Sequence, residues 1–188
     1  MLIAEQRRRL MLNPLIIDSM RRVRNSTSRE ELKMEFLRHV AMNPLAQECE
    51  RWASHISAAI SAFERDEILS SGIDFERVSA VGMSFGGSAS ALAALRDKRI
   101  KAVVNLDGGQ FGADLFEREV PAPILLLQSR AAKLAEGYAW NDFFYERPAS
   151  TPQRQLLRYI SNDAGHLDFT DLTLVSQPLL RRVFGLRV

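Results

Sequence analysis

Over the first 65 residues, apolar and charged positions recur at intervals of three and four, and no stretch carries the alternating or continuous apolar run of a strand. The segment 28–37 places Leu32, Phe36 and Leu37 among charged residues, with Ser28 and Glu31 at the spacing of a capping box, and predicts a helix. Asn43-Pro44 predicts the start of a second, longer helix, whose apolar stripe runs through Trp52, Ile56, Ile60 and Phe63. Beyond about residue 65 the texture changes. Short apolar runs at 77–82, 102–106, 124–128 and 156–160 alternate with helical stretches, the clearest at 85–96. Such alternation is the mark of parallel strands joined by crossover helices. The longest irregular connection is 129–153, which contains Pro148 and Pro152. The expectation is one α/β domain over residues 1–188, with a helical segment at 1–65 and a core of about four parallel strands flanked by helices at 66–188.

Composition changes this picture little. With 46% hydrophobic and 26% charged residues and a formal net charge of +2, the chain reads as an ordinary globular protein and gives no case for a nucleic-acid partner. Arg7-Arg8-Arg9 and Arg21-Arg22 with Arg24 sit among apolar residues, a pattern that suits either a solvated helix face or contact with an anionic lipid surface. Cys49 is the sole cysteine, so no internal disulfide can form, and a buried, small apolar role is expected of it. The sequence lacks a membrane-length apolar run, and its start lacks the order of a signal peptide, so the chain as given reads as cytoplasmic.

The chemistry-bearing motif is Gly82-Met83-Ser84-Phe85-Gly86-Gly87, between the apolar run 77–82 and an alanine-rich helical stretch. A serine hydroxyl needs exposure, an adjacent base and donors for the oxyanion before it can act as a nucleophile. A strand-turn-helix elbow supplies the exposure, with Gly82 and Gly86 expected to be required by close packing, and aims the Phe85 backbone N–H at the oxyanion position. The competing reading is a plain glycine turn with Ser84 as a helix N-cap. Of three histidines, His39 and His55 precede the elbow, whereas His166 follows the last apolar run, as the order serine, acid, histidine requires. No carboxylate follows the third run, where Gln128-Ser129-Arg130-Ala131-Ala132-Lys133 stands. Asp107 ends the second run at the edge expected for Ser84, and is the candidate acid; its competitor role is a turn residue before Gly108 and Gly109. Asp163 and Asp168 flank His166, and Asp168, with Asp171 three residues on, reads as the N-cap of a closing helix.

With these positions in place, the chain from about Trp52 to Phe169 resembles the platelet-activating factor acetylhydrolase family and its dienelactone-hydrolase-like esterase relatives. The resemblance lies in the motif at 82–87, in Asn105-Leu106-Asp107-Gly108-Gly109-Gln110, and in His166 followed by Asp168-Phe169-Thr170-Asp171. It implies an α/β-hydrolase fold and a calcium-independent, cofactor-free esterase acting on a short-chain or lipid-derived ester. Ser84 would be nucleophile, His166 base, Asp107 the acid that orients it, and Phe85 N–H one oxyanion donor. In one respect the sequence departs from the family: no strand and loop upstream of Ser84 supply the second oxyanion donor. The strand at 77–82 would then lie at a sheet edge, covered by the N-terminal helices, pairing with a partner, or exposed because the chain is part of a longer hydrolase. The alternative function is a catalytically silent binding or assembly module.

Overall fold

The computed structural model describes residues 13–130, 133–135, 138–139, 141 and 156–171. The cluster Arg7 to Arg9, the two prolines at 148 and 152 and the expected closing helix lie outside these residues.

Three helices open the described chain: α1 (Pro14–Asn25), α2 (Arg29–Met42) and α3 (Leu45–Arg65). Helix α1 starts where the Asn13 side chain accepts from Leu15 N–H and Pro14 takes the first position, which needs no N–H. At the start of α2, Ser28 Oγ accepts from Glu31 N–H at 3.1 Å, but Glu31 reaches past Ser28 to accept from Thr27 N–H at 2.8 Å and Thr27 Oγ1 at 3.0 Å. The capping box is thus closed one residue early. Within α3 the buried line is Cys49, Ala53 and Ile60, while Trp52 and Phe63 are 42% and 45% exposed. The apolar stripe is therefore rotated from the expected one, because small side chains let α3 approach the Ala-rich helix α4 (Phe85–Arg96), against which it packs. Cys49 is fully buried, as its type suggested, and burial pushes its thiol up to about 11.

The four expected strands are present as β1 (Val78–Met83), β2 (Ile100–Leu106), β3 (Ile124–Ser129) and, later, β6 (Leu156–Ser161). They form one all-parallel sheet in the order β1-β2-β3-β6. Helix α4 crosses from β1 to β2, and a short helix, α5 (Asp114–Glu117), precedes β3. Within 129–153, an expected irregular connection, β4 (Lys133–Ala135) and β5 (Tyr138–Ala139) pair as an antiparallel hairpin. The core gathers Ala80, Val103 and Ile124 of the sheet, Leu92 and Leu95 of α4, and Phe36 and Val40 of α2. Phe36 meets Phe116 edge-on at 5.6 Å. Among the described strands β1 is an edge: it packs on β2 and α4, while α3 lies on α4 and α1 packs on α2 and β4. Of the readings offered for this edge, cover by the N-terminal helices finds no support among the described residues. On the sheet face away from α4 the register aligns Val81, Val104, Leu125 and Leu157, with Val81 62% exposed. No helix among the described residues is long and apolar enough to cross a membrane.

Candidate active site

Parallel strands end at a common edge, and three of these ends build the site. After β1 the chain turns through Ser84 straight into α4. Ser84 has φ 55° and ψ −123°, a conformation that costs a non-glycine residue on the order of 1–3 kcal/mol. The turn is held because Ser84 N–H donates to Leu106 O at 2.8 Å, on the neighbouring strand. It is closed by glycine at two positions: a Cβ at Gly82 would land on the Gly86 carbonyl, and one at Gly87 on the Asn105 side chain. A Cβ at Gly86 would meet nothing within 4 Å, so the expectation that Gly86 avoids a collision is corrected; its carbonyl is the wall that Gly82 must avoid. Ser84 occupies the N-cap position of α4, yet its side chain makes no capping hydrogen bond. The Phe85 N–H is the first of the helical N–H groups, which have no partner within the helix.

Asp107 follows β2 and is, with Ser84, one of two non-glycine residues at positive φ among the described residues, at 53°. Its N–H donates to Leu127 O at 2.7 Å. Its side chain is 2% exposed and both carboxylate oxygens are used: Oδ1 accepts from Ser129 N–H at 2.6 Å and Oδ2 faces His166 Nδ1 at 2.8 Å. These partners lie far along the chain, which separates Asp107 from a local turn-forming aspartate. Ser129 ends β3, the strand that carries no carboxylate of its own, and contributes a backbone donor in place of one.

His166 opens the 3₁₀ turn His166–Phe169 that follows β6. Its Nε2 lies 3.0 Å from Ser84 Oγ. The distances fit a neutral imidazole with its hydrogen on Nδ1, donating to Asp107 and accepting from the Ser84 hydroxyl. Asp168 lies inside this turn and accepts from Gly165 N–H at 2.7 Å, so it fixes the His166 turn; the closing helix it was expected to cap lies outside the described residues. His39 and His55 belong to α2 and α3; His39 is buried against Ser19, away from Ser84. The structure therefore brings together Ser84, Asp107, His166 and the start of α4. No strand precedes β1 among the described residues, and no second oxyanion loop is found among them. They also hold no group of three or more His, Cys, Asp or Glu that could bind a metal ion.

Sequence reasoning missed Ser129, whose N–H reaches Asp107, and Asn105, whose amide binds Gly108. A polar residue in the buried run 102–106 was the available signal for Asn105, which is 0% exposed. For Ser129 there was none, since its backbone N–H does the work.

A parallel sheet with a serine at a strained strand-to-helix turn, and a histidine and an acid on later strand ends, defines an α/β-hydrolase. Residues 30–188 match the family model of platelet-activating factor acetylhydrolase, isoform II, and the chain belongs to that family. Among solved structures it is similar to a ferulic acid esterase from Streptomyces cinnamoneus, with 23% identity and a TM-score of 0.51. That match takes in 70% of this chain and 37% of the esterase, and it bears on the fold alone. Comparison with curated proteins gives no match.

Proposed function

We propose that the protein is a serine hydrolase that cleaves a carboxylic ester, short-chain or lipid-derived, through an acyl-enzyme on Ser84. The observation that carries this reading is the position of one imidazole, His166, between Ser84 Oγ at 3.0 Å and the buried Asp107 carboxylate at 2.8 Å. As Ser84 Oγ bonds to the ester carbonyl carbon, its proton passes to His166 Nε2. Asp107 holds the ring with Nδ1–H toward itself and stabilises the imidazolium. The carbonyl oxygen gathers negative charge against Phe85 N–H, at the positive end of α4. Collapse of the tetrahedral species breaks the ester C–O bond, and the leaving alcohol takes the proton from Nε2. Water then repeats the sequence: His166 removes its proton, the acid is released and Ser84 regains its hydrogen.

Family membership supports the ester as substrate. The ring of Phe85 packs against Trp52 at 5.1 Å and Phe111 at 5.3 Å, which anchors the start of α4 beside Ser84. The test is hydrolysis of p-nitrophenyl acetate. Ser84→Ala is expected to remove all activity above the background reaction while leaving the circular-dichroism spectrum and melting temperature in place. A variant as active as the parent would remove Ser84 from the reaction.

A further inference from the structure

Asn105 lies beneath both strained residues. It sits on β2 in register with Gly82 of β1, is 0% exposed, and is one of few polar side chains placed inside the sheet. A buried amide without partners costs more than a leucine in the same place, so its hydrogen bonds identify its use. Both go to one residue: Asn105 Oδ1 accepts from Gly108 N–H at 2.7 Å and Asn105 Nδ2 donates to Gly108 O at 3.1 Å. A second buried amide, Asn141 Nδ2, donates to the same Gly108 O at 2.9 Å. Gly108 is pinned at both ends of its backbone, immediately after Asp107 with φ 53°. Its location is constrained from the other side as well, since a Cβ at Gly108 would land on the Ser84 carbonyl. The same Asn105 amide is the surface on which Gly87 of α4 rests. One side chain therefore braces the Asp107 turn and backs the Ser84 turn.

We infer that Asn105 is a positioning residue: through its two hydrogen bonds to Gly108 it holds the Asp107 carboxylate where His166 Nδ1 can donate to it. This assignment rests on the role proposed for Asp107. Without the amide, Gly108 would keep only the Asn141 bond to its carbonyl and its N–H would lose its acceptor, so Asp107 could relax from its left-handed conformation and the bond to His166 would lengthen. A displacement of about 1 Å at such a bond can cost on the order of 10²-fold in rate.

The test is a double-mutant cycle. Asn105→Ala and Asn105→Asp, which keeps an acceptor for Gly108 N–H and the side-chain volume, are each made in the parent and in Asp107→Asn. Turnover of p-nitrophenyl acetate is measured alongside melting temperature. Asn105→Ala is expected to lower kcat by roughly ten- to a hundredfold with KM nearly unchanged, and Asn105→Asp, which turns a carboxylate oxygen toward Gly108 O, by at least as much. In the Asp107→Asn background both losses should shrink to less than about threefold, because the residue they act through is already gone. Equal losses in the two backgrounds, or full activity in folded Asn105→Ala, would overturn the assignment. If Asn105→Ala does not fold, Asn105→Asp carries the same comparison. Inactivity of the parent would refute the proposed function and leave a second readout, the low-field proton NMR signal of His166 Nδ1–H bound to Asp107. Its loss in the Asn105 variants supports the role of Asn105, and its persistence contradicts it.

Discussion

A Cβ at position 82 would land on the Gly86 carbonyl and lie 2.6 Å from Gly87 N, whereas a Cβ at position 86 would meet nothing within 4 Å. The two glycines flank Ser84 at equal spacing but do different work. Gly82→Ala must push α4 off β1, and is expected to destabilise the fold by about 2–3 kcal/mol or more, as overpacking does. Gly86→Ala lies in a helix with open space around the new methyl, and is expected to change stability by less than about 1 kcal/mol, in the stabilising direction. Chemical denaturation of the pair reads the contrast; equal losses would show that the turn is not closed as described. Ser84, Asp107 and His166, which the fold brings within hydrogen-bond distance, were legible as candidates because each follows an apolar run and their order along the chain is that of a hydrolase. What holds them was not. The donor to Asp107 Oδ1 is a backbone N–H contributed by the next strand, and backbone groups carry no sequence signature.

At the scale of elements, α1 and α2 are joined by a buried polar relay. Ser19 Oγ donates to Ile16 O at 2.8 Å and accepts from His39 Nδ1 at the same distance, while Asn43 Nδ2 approaches His39 Nε2 at 3.4 Å. Only a neutral ring satisfies this relay, because a proton on Nε2 would face another donor; Asn43 Oδ1 is already taken by Leu45 N–H. Glu35, one turn earlier on α2, is occupied by Arg22 of α1 and by Arg38. Burial accordingly lowers the His39 pKa from its ordinary 6.5. A histidine with a depressed folded-state value binds more protons when unfolded, so its contribution is complete above about pH 6.5 and is lost as the pH falls from there toward the folded value. The melting-temperature difference between the parent and His39→Gln should therefore narrow on acidification from neutral pH; a constant difference would contradict a neutral buried ring. The helices themselves followed from their periodicity, but the rotation of α3 did not. Trp52 and Phe63 are the larger apolar groups, and the packing instead selected Cys49 and Ala53 because α4 offers an alanine surface that only small residues can approach.

For the whole molecule, the helical first third and the α/β part are tied by two arginines at the C-terminal end of α4. Arg96 at its end pairs with Glu50 of α3 and, at 3.0 Å, with Asp114 of α5. Arg99, just before β2, donates to Ser61 Oγ at 3.0 Å, to Ser57 O at 3.1 Å and to Glu64 at 2.5 Å, all on α3, and to Asp97 at 2.6 Å. The Arg99 guanidinium holds the Asp97 carboxyl down to about 2 from 3.8. Its contribution is present above pH 3.8 and is lost as the pH falls toward 2. Because Arg99 is partly exposed, Arg99→Ala is expected to cost only about 1–2 kcal/mol, read by urea denaturation, without loss of ester hydrolysis. Loss of hydrolysis in the folded variant would show that this tie also shapes the site. The α/β class and the four parallel strands were legible because strand runs and a crossover helix have different periods. The edge position of β1 was legible too, from the lack of an earlier strand, whereas the hairpin β4–β5 was not, since it has no alternating run.

Whether His166 and Asp107 make Ser84 a nucleophile is read by treating the folded protein with a fluorophosphonate and locating the adduct by mass spectrometry. The expected result is a single adduct on Ser84, absent in Ser84→Ala and slowed at least about a hundredfold in His166→Ala. An unlabelled Ser84 in well-folded protein, or labelling that His166→Ala leaves unchanged, would contradict a nucleophilic Ser84 activated by His166.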